Sequence, residues 1–295
     1  MAKKKENIEE QKIIPEPISI LSGLDEIKRD LIIRSKKGIV KYGIEILDDC
    51  VDFIRPSTVT IIAACPNTGK SMLAQNIACN IAKQGEKVLI CSCEMSAGQL
   101  MERQLRQMMN LSMSQMSNMY EHSPSLIDEQ FEVMFSYDFL QNIKYLDIGG
   151  MHVDTLIKVL DANKEYKYVI IDYLQRIKGN GSDKYEMVSD ASYKLQIYAL
   201  QHEISMITCS QISKKVEINA RGEKKGIDFT SMTPKGAGEI EEDAHVLIKM
   251  AEDYKEGHKN ILINLAKNKC GEIKLVTYRY KIDSKLNFVL LDKDV

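Results

Sequence analysis

Residues 64–71, which read ACPNTGKS, have the composition of a loop that binds nucleotide phosphates. The apolar run VTIIAA precedes the loop, and the segment that begins with Lys70 has helical periodicity. In such a loop the backbone N–H groups surround the phosphates, the lysine reaches the β- and γ-phosphates, and the hydroxyl group binds Mg²⁺. A chance Gly-Lys-Ser would lack the flanking strand and helix. We therefore predict a site for ATP and Mg²⁺ formed by Ala64, Pro66, Asn67, Thr68, Gly69, Lys70, Ser71 and Met72.

Ala64 stands where the first glycine of this pattern is usual. We expect alanine to be tolerated there if its φ angle is negative, since only positive φ values strongly favour glycine.

Three further polar residues follow apolar runs that predict strands: Asp172 in VIIDYLQ, Glu94 in LICSCEMS and Gln211 in ITCSQIS. We expect Asp172 to bind Mg²⁺, through water or through Ser71, because an acidic strand end about 100 residues after a phosphate loop has this role in nucleotide hydrolases. Glu94 is a candidate for orienting the attacking water, and Gln211 for contacting the γ-phosphate. Taken singly, each residue is equally typical of an ordinary strand end or of a helix cap.

A basic stretch follows Gln211. Residues 214–225, KKVEINARGEKK, contain five basic and two acidic residues in a chain whose net charge is −2. Because basic loops bind the phosphates of single-stranded DNA, we predict a DNA contact there. An ordinary solvated loop explains the charge equally well. The predicted DNA-binding residues are Lys214, Lys215, Arg221, Lys224 and Lys225.

The hydrophobic pattern predicts an α/β fold. From residue 59 onward, strand-like runs alternate with helical segments, and four strand-like runs close the sequence. Strands that alternate with helices form a mostly parallel sheet with helices on both faces. The last runs are close together in sequence, so we expect them to be antiparallel. One helical segment is expected over residues 96–120 and another over residues 185–203.

Composition limits the remaining choices. The 295 residues are 44% hydrophobic and no apolar run approaches the roughly 20 residues of a membrane helix, so no membrane partner is expected. Seven cysteines without paired spacing are typical of a reducing cytosol. The N-terminus has no apolar core, so we expect no secretory signal and a cytoplasmic protein.

The N-terminal region divides in two. Residues 1–18 are predicted to be a disordered charged tail, and residues 19–40 a helix with Ile20, Leu24, Ile27 and Leu31 on one stripe. That helix either packs on its own domain or docks on a neighbouring subunit. Residues 41–295 are expected to form the ATPase domain.

The motifs together resemble those of the C-terminal motor domain of DnaB-type replicative helicases. The shared stretches are AACPNTGKS, CEMSAGQLMER, IDYLQRI, CSQIS and GAGEIEEDAHV, in the order of the family, and the resemblance runs from about residue 42 to the C-terminus. It implies a RecA-like P-loop NTPase fold and ATP hydrolysis, with Glu94 activating water, Asp172 binding Mg²⁺ and Gln211 coupling the γ-phosphate to DNA loops.

The resemblance also implies partners. Such helicases unwind forked DNA 5′ to 3′ as hexameric rings in bacteria or phage-infected cells, and work with a primase and a helicase loader. ATP lies between subunits, and the neighbouring subunit supplies basic residues to it. The corresponding stretch here is KNKCG, with Lys267 and Lys269 in these positions.

Several positions depart from the family pattern. Lys269 stands where the family usually has an arginine finger, and lysine lacks the planar fork of arginine. Lys214 replaces the usual arginine, and Lys235 and Gly236 replace an Arg-Glu pair. About 40 residues precede the motor region, which is too few for the N-terminal collar domain of the family. Two alternatives therefore stay open: a recombinase or mediator that binds single-stranded DNA, and a weakly hydrolysing ATP-binding assembly subunit of a replicative helicase.

Overall fold

The computed structural model describes residues 39–212, 227–234, 238–255, 258–272, 276–284 and 286–295, together with Leu24, Ile27, Lys28 and Leu31. The chain divides into two compact units, Met1–Ile39 and Val40–Val295. In the first unit Leu24, Ile27 and Leu31 are helical and exposed. The predicted tail at residues 1–18 lies outside the described residues, as does most of the predicted helix at residues 19–40.

Within the described residues one sheet of nine strands runs through the second unit, in the order β3-β2-β4-β5-β1-β6-β7-β8-β9. Strands β1 to β6 pair in parallel, whereas β7, β8 and β9 are antiparallel to their neighbours. This arrangement confirms the predicted fold class. The strands are β1 (Val59–Ala64), β2 (Val88–Ser92), β3 (Ile143–Asp147), β4 (Tyr168–Asp172), β5 (Ser205–Gln211), β6 (Val246–Lys255), β7 (His258–Asn268), β8 (Thr277–Ile282) and β9 (Phe288–Asp292).

Helices connect the strands and cover the sheet. In the part of the chain that is described, no helix is long and apolar enough to cross a membrane. Short 3₁₀ turns occupy Asp138–Asn142 and Leu174–Arg176. The α-helices are α1 (Glu45–Cys50), α2 (Lys70–Lys83), α3 (Ala97–Met109), α4 (Met113–His122), α5 (Pro124–Phe135), α6 (Val153–Asp161), α7 (Lys184–His202) and α8 (Glu239–Asp243).

The sheet is buried on both faces. On one face the column Leu73, Ile77 and Ile81 of α2 packs against alternate residues of the central strands. On the other face Leu156 of α6 and Leu195 of α7 do the same. Each such side chain stabilises the fold by about 1.5–3 kcal/mol when it is fully buried. This two-sided burial explains why the parallel strands are nearly continuous apolar runs.

The structure differs from the sequence prediction in two places. Strand β3 was not predicted, because it lies at the edge of the sheet and its sequence IKYLD mixes polar and apolar residues. The segment 96–120 is two helices instead of one. Asn110 adopts a left-handed conformation with φ of 61°, which ends α3, and Ser112 then begins α4 with a capping box.

The carboxyl ends of β1, β2, β4 and β5 lie at one edge of the sheet, which we call the carboxyl edge. Ala64, Ser92, Asp172 and Gln211 end these four strands, and their register brings the ends side by side. Ligands of open parallel sheets bind at this edge. The candidate site residues that follow these strands are therefore close together.

Candidate active site

The phosphate loop, residues 65–69, connects β1 to α2. Asn67 and Gly69 have positive φ angles of 63° and 101°. Gly69 precedes the first residue of α2 and provides no side-chain cap, so no capping side chain competes for the N–H groups of the first turn. Ala64 ends β1 in an extended conformation, so the missing glycine requires no strain. Such an uncapped helix start is suited to an anionic phosphate group.

The remaining loop residues line the same place. A Cβ atom added to Gly69 would lie 3.3 Å from the methyl group of Met72 and 3.4–3.5 Å from Ile282 and Phe288 of the last two strands. Thr68 is buried, whereas Pro66 and Asn67 are exposed. The predicted nucleotide-binding residues therefore form one contiguous loop and helix start.

Lys70 folds back over this loop. Its Nζ atom donates hydrogen bonds to the carbonyl oxygens of Ala64, at 3.2 Å, and Cys65, at 3.1 Å. The side chain is buried, and this burial lowers the pKa of Lys70, while the charges of Asp172 and Glu94 oppose the shift. A buried ammonium group held only by neutral carbonyl oxygens is well placed to exchange them for phosphate oxygens.

Asp172 and Ser71 form the candidate Mg²⁺ site. The hydroxyl group of Ser71 hydrogen-bonds the carboxylate of Asp172, which is 7% exposed. Burial raises the pKa of Asp172, against the opposing effects of Ser71, Cys209, Lys70 and Arg103. Two oxygen donors beside a phosphate loop fit Mg²⁺, which prefers oxygen ligands and completes its shell with water and phosphate.

Glu94 lies two residues beyond β2 and is exposed. Its carboxylate is 3.7 Å from a guanidinium nitrogen of Arg176, a residue that sequence reasoning did not single out. Arg176 in turn donates a hydrogen bond of 2.9 Å to the hydroxyl of Tyr173. An exposed pair of this length contributes little to stability. It does place Glu94 next to the turn that follows Asp172, as a catalytic role requires.

Gln211 is held by Gln175, a second residue that sequence reasoning missed. The buried Gln175 side chain donates hydrogen bonds to Ser210 Oγ, at 2.7 Å, and to the carbonyl of Gln211, at 3.3 Å. Its Oε1 atom accepts from the backbone N–H of Gln211 at 3.1 Å. The amide thus replaces a strand partner beyond the last β4–β5 pair and fixes the end of β5 to the strand of Asp172. The only sequence signal was the position of Gln175 inside the IDYLQ motif.

Replacing Gln175 with alanine is expected to lower kcat for ATP about 10-fold with little change in KM, because the backbone of Gln211 loses its brace while the phosphate loop is untouched. The matched control is Gln84→Ala, since the amide of Gln84 pairs in the same two-bond way with the backbone of Lys41, away from the site. Steady-state kinetics would compare the two. Equal kcat values for both variants would show that Gln175 has only a structural role.

Lys267 and Lys269 lie at the opposite edge of the sheet. Lys267 pairs with Leu247, which pairs with Ile61 of β1, so Lys267 is level with residue 61 and short of the loop that starts at Cys65. At about 3.3 Å per residue this offset is about 13 Å, and two spacings of about 4.8 Å between strands add to it. Neither lysine is brought to the phosphate loop of its own chain.

Both lysines cap the C-terminal end of α8. Lys267 Nζ donates to the carbonyls of Glu241 and Glu242, the latter at 3.0 Å, and Lys269 Nζ donates to Glu242 at 3.4 Å. Lysine side chains near the end of a helix satisfy carbonyls that have no partner within the helix. Burial lowers the pKa of Lys267, and the charge of Lys269 lowers it further.

The predicted DNA-binding residues Lys214, Lys215, Arg221, Lys224 and Lys225 lie outside the described residues, as do Lys235 and Gly236. The described chain on either side is joined by an antiparallel bridge between Ile212 and Pro234. The stretch that contains the basic residues therefore begins and ends beside β5, which carries Gln211.

Comparisons with known proteins agree with the motifs. A family model described as DnaB-like helicase C terminal domain matches residues 39–287. The replicative DNA helicase DnaB of Geobacillus stearothermophilus is 30% identical over 275 residues, which are 86% of this chain and 57% of that protein. A probable plasmid replicative DNA helicase of Chlamydia trachomatis is 27% identical over 243 residues, 78% of this chain and 50% of that protein. The chain thus spans about half the length of these curated relatives.

Solved structures show the same fold. One of them, an isolated ATPase domain, superposes with a TM-score of 0.78 at 21% identity, covering 94% of this chain and 100% of that one. A DnaB-like replicative helicase, described with its interactions with primase, has a TM-score of 0.74 at 21% identity and covers 94% of this chain and 68% of that one.

Proposed function

The chain belongs to the DnaB-like helicase C-terminal domain family, and on that premise we propose that it is the motor of an ATP-dependent replicative DNA helicase. In this proposal it hydrolyses ATP at subunit interfaces and moves along single-stranded DNA 5′ to 3′ as a hexameric ring.

The observation that carries the proposal is the separation of the two halves of the site. The phosphate loop, Asp172 and Glu94 lie at the carboxyl edge, whereas Lys267 and Lys269 lie at the opposite edge. A second copy of the chain can bring its lysines to the phosphate loop of the first. The arrangement therefore supports ATP binding between subunits, and with it an oligomeric motor.

Each residue has a defined task in this proposal. Lys70 and the loop N–H groups bind the β- and γ-phosphates, and Ser71 and Asp172 hold Mg²⁺. When bound, Mg²⁺ neutralises charge on the phosphate oxygens. Glu94 orients and polarises the attacking water, and Gln211 contacts the γ-phosphate. Lys267 and Lys269 of the neighbour stabilise the charge that develops in the transition state.

The proposed partners follow from the same reading. Single-stranded and forked DNA would be bound by Lys214, Lys215, Arg221, Lys224 and Lys225, through phosphate contacts that weaken as salt rises. A primase and a helicase loader are further proposed partners, and the proposed location is the cytoplasm of a bacterial or phage-infected cell.

ATP hydrolysis with and without single-stranded DNA tests the function. We expect turnover that DNA stimulates and that Lys70→Ala abolishes, followed by ATP-dependent unwinding of a forked duplex with a 5′ tail. Filament formation or annealing without unwinding would instead favour the recombinase or mediator.

A specific observation favours a second candidate. Lys269 stands in the finger position of the family and lacks the bidentate geometry of arginine. A weakly hydrolysing ATP-binding subunit that joins a replicative ring would tolerate this change. ATP binding without turnover, unchanged by DNA, would support that function and exclude the motor.

A further inference from the structure

Lys249 is a charged residue in the interior of the sheet. It lies on β6 between Ala63 of β1 and Asn264 of β7, and only 4% of it is exposed. Nothing in the motifs explains a cation at this position, where the neighbouring residues Ile248 and Met250 are apolar core. A buried ammonium group is costly unless it is paired, so its partners indicate what it does.

The partners of Lys249 come from two segments. Its Nζ atom is 3.0 Å from Oε1 of Glu241 on α8, and it donates a hydrogen bond of 3.3 Å to the carbonyl of Phe229. The side chain of Glu241 is itself 30% exposed, so the pair lies under α8 at the margin of the core. Lys249 therefore ties α8 to the centre of the sheet by a charged contact.

The same turn of α8 anchors the two lysines that are proposed to act on the neighbouring subunit. The carbonyls of Glu241 and Glu242 accept hydrogen bonds from Lys267, and that of Glu242 also accepts from Lys269. An ammonium group carries three N–H donors, so two anchoring bonds leave Lys267 a donor for another acceptor. Lys249 holds Glu241 by its side chain, while Lys267 holds it by its backbone.

We infer that Lys249 is a positioning residue for Lys267 and Lys269, acting through Glu241. This inference rests on the proposed function, in which those lysines serve the phosphate loop of the next subunit. Without the cation, the Glu241 carboxylate turns towards solvent and the carbonyls at the end of α8 shift. A displacement of about 1 Å in a catalytic group can lower a rate about 100-fold.

Kinetics give the first test. Lys249→Met is expected to lower kcat about 10- to 100-fold without changing KM for ATP, because Lys70, Ser71 and Asp172 lie at the other edge. Lys249→Arg keeps the charge and should retain most of the rate. The matched control is Lys259→Met, which removes an ion pair of 2.9 Å with Glu252 elsewhere in the same sheet and should leave kcat unchanged.

Mixed oligomers give the decisive test. Lys249→Met and Lys70→Ala chains would be co-expressed with different tags and purified through both tags. If Lys249 acts on the lysines used by the neighbour, an intact phosphate loop of the first chain meets intact lysines of the second. Two nearly inactive proteins should then regain ATP hydrolysis together. If Lys249 only supports its own nucleotide site, the mixture stays inactive and the inference is overturned.

Two reference mixtures separate this inference from the proposed function. Lys267→Ala with Lys70→Ala should regain activity, since their defects lie on opposite sides of an interface. Glu94→Gln with Lys70→Ala should not, since both defects lie in the same half. Loss of the first result contradicts the role of the lysines in the neighbouring site and removes the inference as well. Recovery there but not with Lys249→Met contradicts the inference alone.

A second variant covers a failure of Lys249→Met to fold. Glu241→Gln keeps the shape of the side chain and removes the charge that pairs with Lys249. It should show the same fall in kcat and the same recovery with Lys70→Ala. Thermal unfolding and KM for ATP would verify that each variant is folded, and a folded Glu241→Gln protein with the wild-type kcat would overturn the inference.

Discussion

Replacing Glu94 with glutamine is expected to lower kcat for ATP hydrolysis about 10²–10⁴-fold, the usual contribution of a positioned general base. The substitution keeps the size of the side chain and removes only its negative charge. Glu94 does not contribute to the phosphate loop, and its nearest charged partner is the exposed Arg176. We therefore expect ATP affinity close to that of the wild-type protein.

Steady-state hydrolysis and equilibrium binding of ATP, measured on the same preparations, would separate turnover from binding. Glu102→Gln is the matched control, because Glu102 also pairs with an arginine, Arg106, on the exposed side of α3. Lys70→Ala should differ from Glu94→Gln by weakening ATP binding as well as hydrolysis. A Glu94→Gln protein with the wild-type kcat would show that the carboxylate is not the base and that its pairing with Arg176 is structural.

The second large effect concerns Lys269. Replacing it with alanine should lower kcat about 10³-fold or more, the scale of losing an arginine finger, while replacing it with arginine should raise kcat. Arginine presents a planar fork that can contact two phosphate oxygens, whereas lysine acts as a point charge. Neither change should alter KM for ATP, because Lys269 caps α8 at the edge opposite to the phosphate loop.

The three proteins would be compared at saturating ATP and single-stranded DNA. Lys281→Arg is a control for the same change of side chain at an exposed position of β8. Loss of activity in Lys269→Ala with no gain in Lys269→Arg would show that lysine is an adequate finger here. Wild-type kcat in both would show that residue 269 is not the finger, and attention would turn to Lys267.

Much of the fold could be read from the sequence because it depends on local patterns. The buried parallel strands are unbroken apolar runs, and the prediction for β1 matches its observed bounds, Val59–Ala64. The phosphate loop is one contiguous stretch, so its identity does not depend on tertiary contacts. Local patterns failed where the signal was weak, as in the edge strand β3 and at the left-handed Asn110 that divides residues 96–120.

The site was only partly predictable for the same reason. Glu94, Asp172 and Gln211 follow apolar strands, and the carboxyl ends of parallel strands must meet at one edge of the sheet. The contact of Gln175 with Gln211 joins residues 36 positions apart through side-chain orientation, which no periodicity encodes.

The sequence by itself determined the fold class, the family and the nucleotide-binding loop, because each of these is written in contiguous residues. Only the tertiary structure decided that Lys267 and Lys269 lie away from their own phosphate loop. It also decided that both are anchored on α8 and that Lys249 is buried beneath Glu241. These features depend on strand register and on contacts between distant segments, and the free energy of such contacts appears only when the whole sheet is assembled.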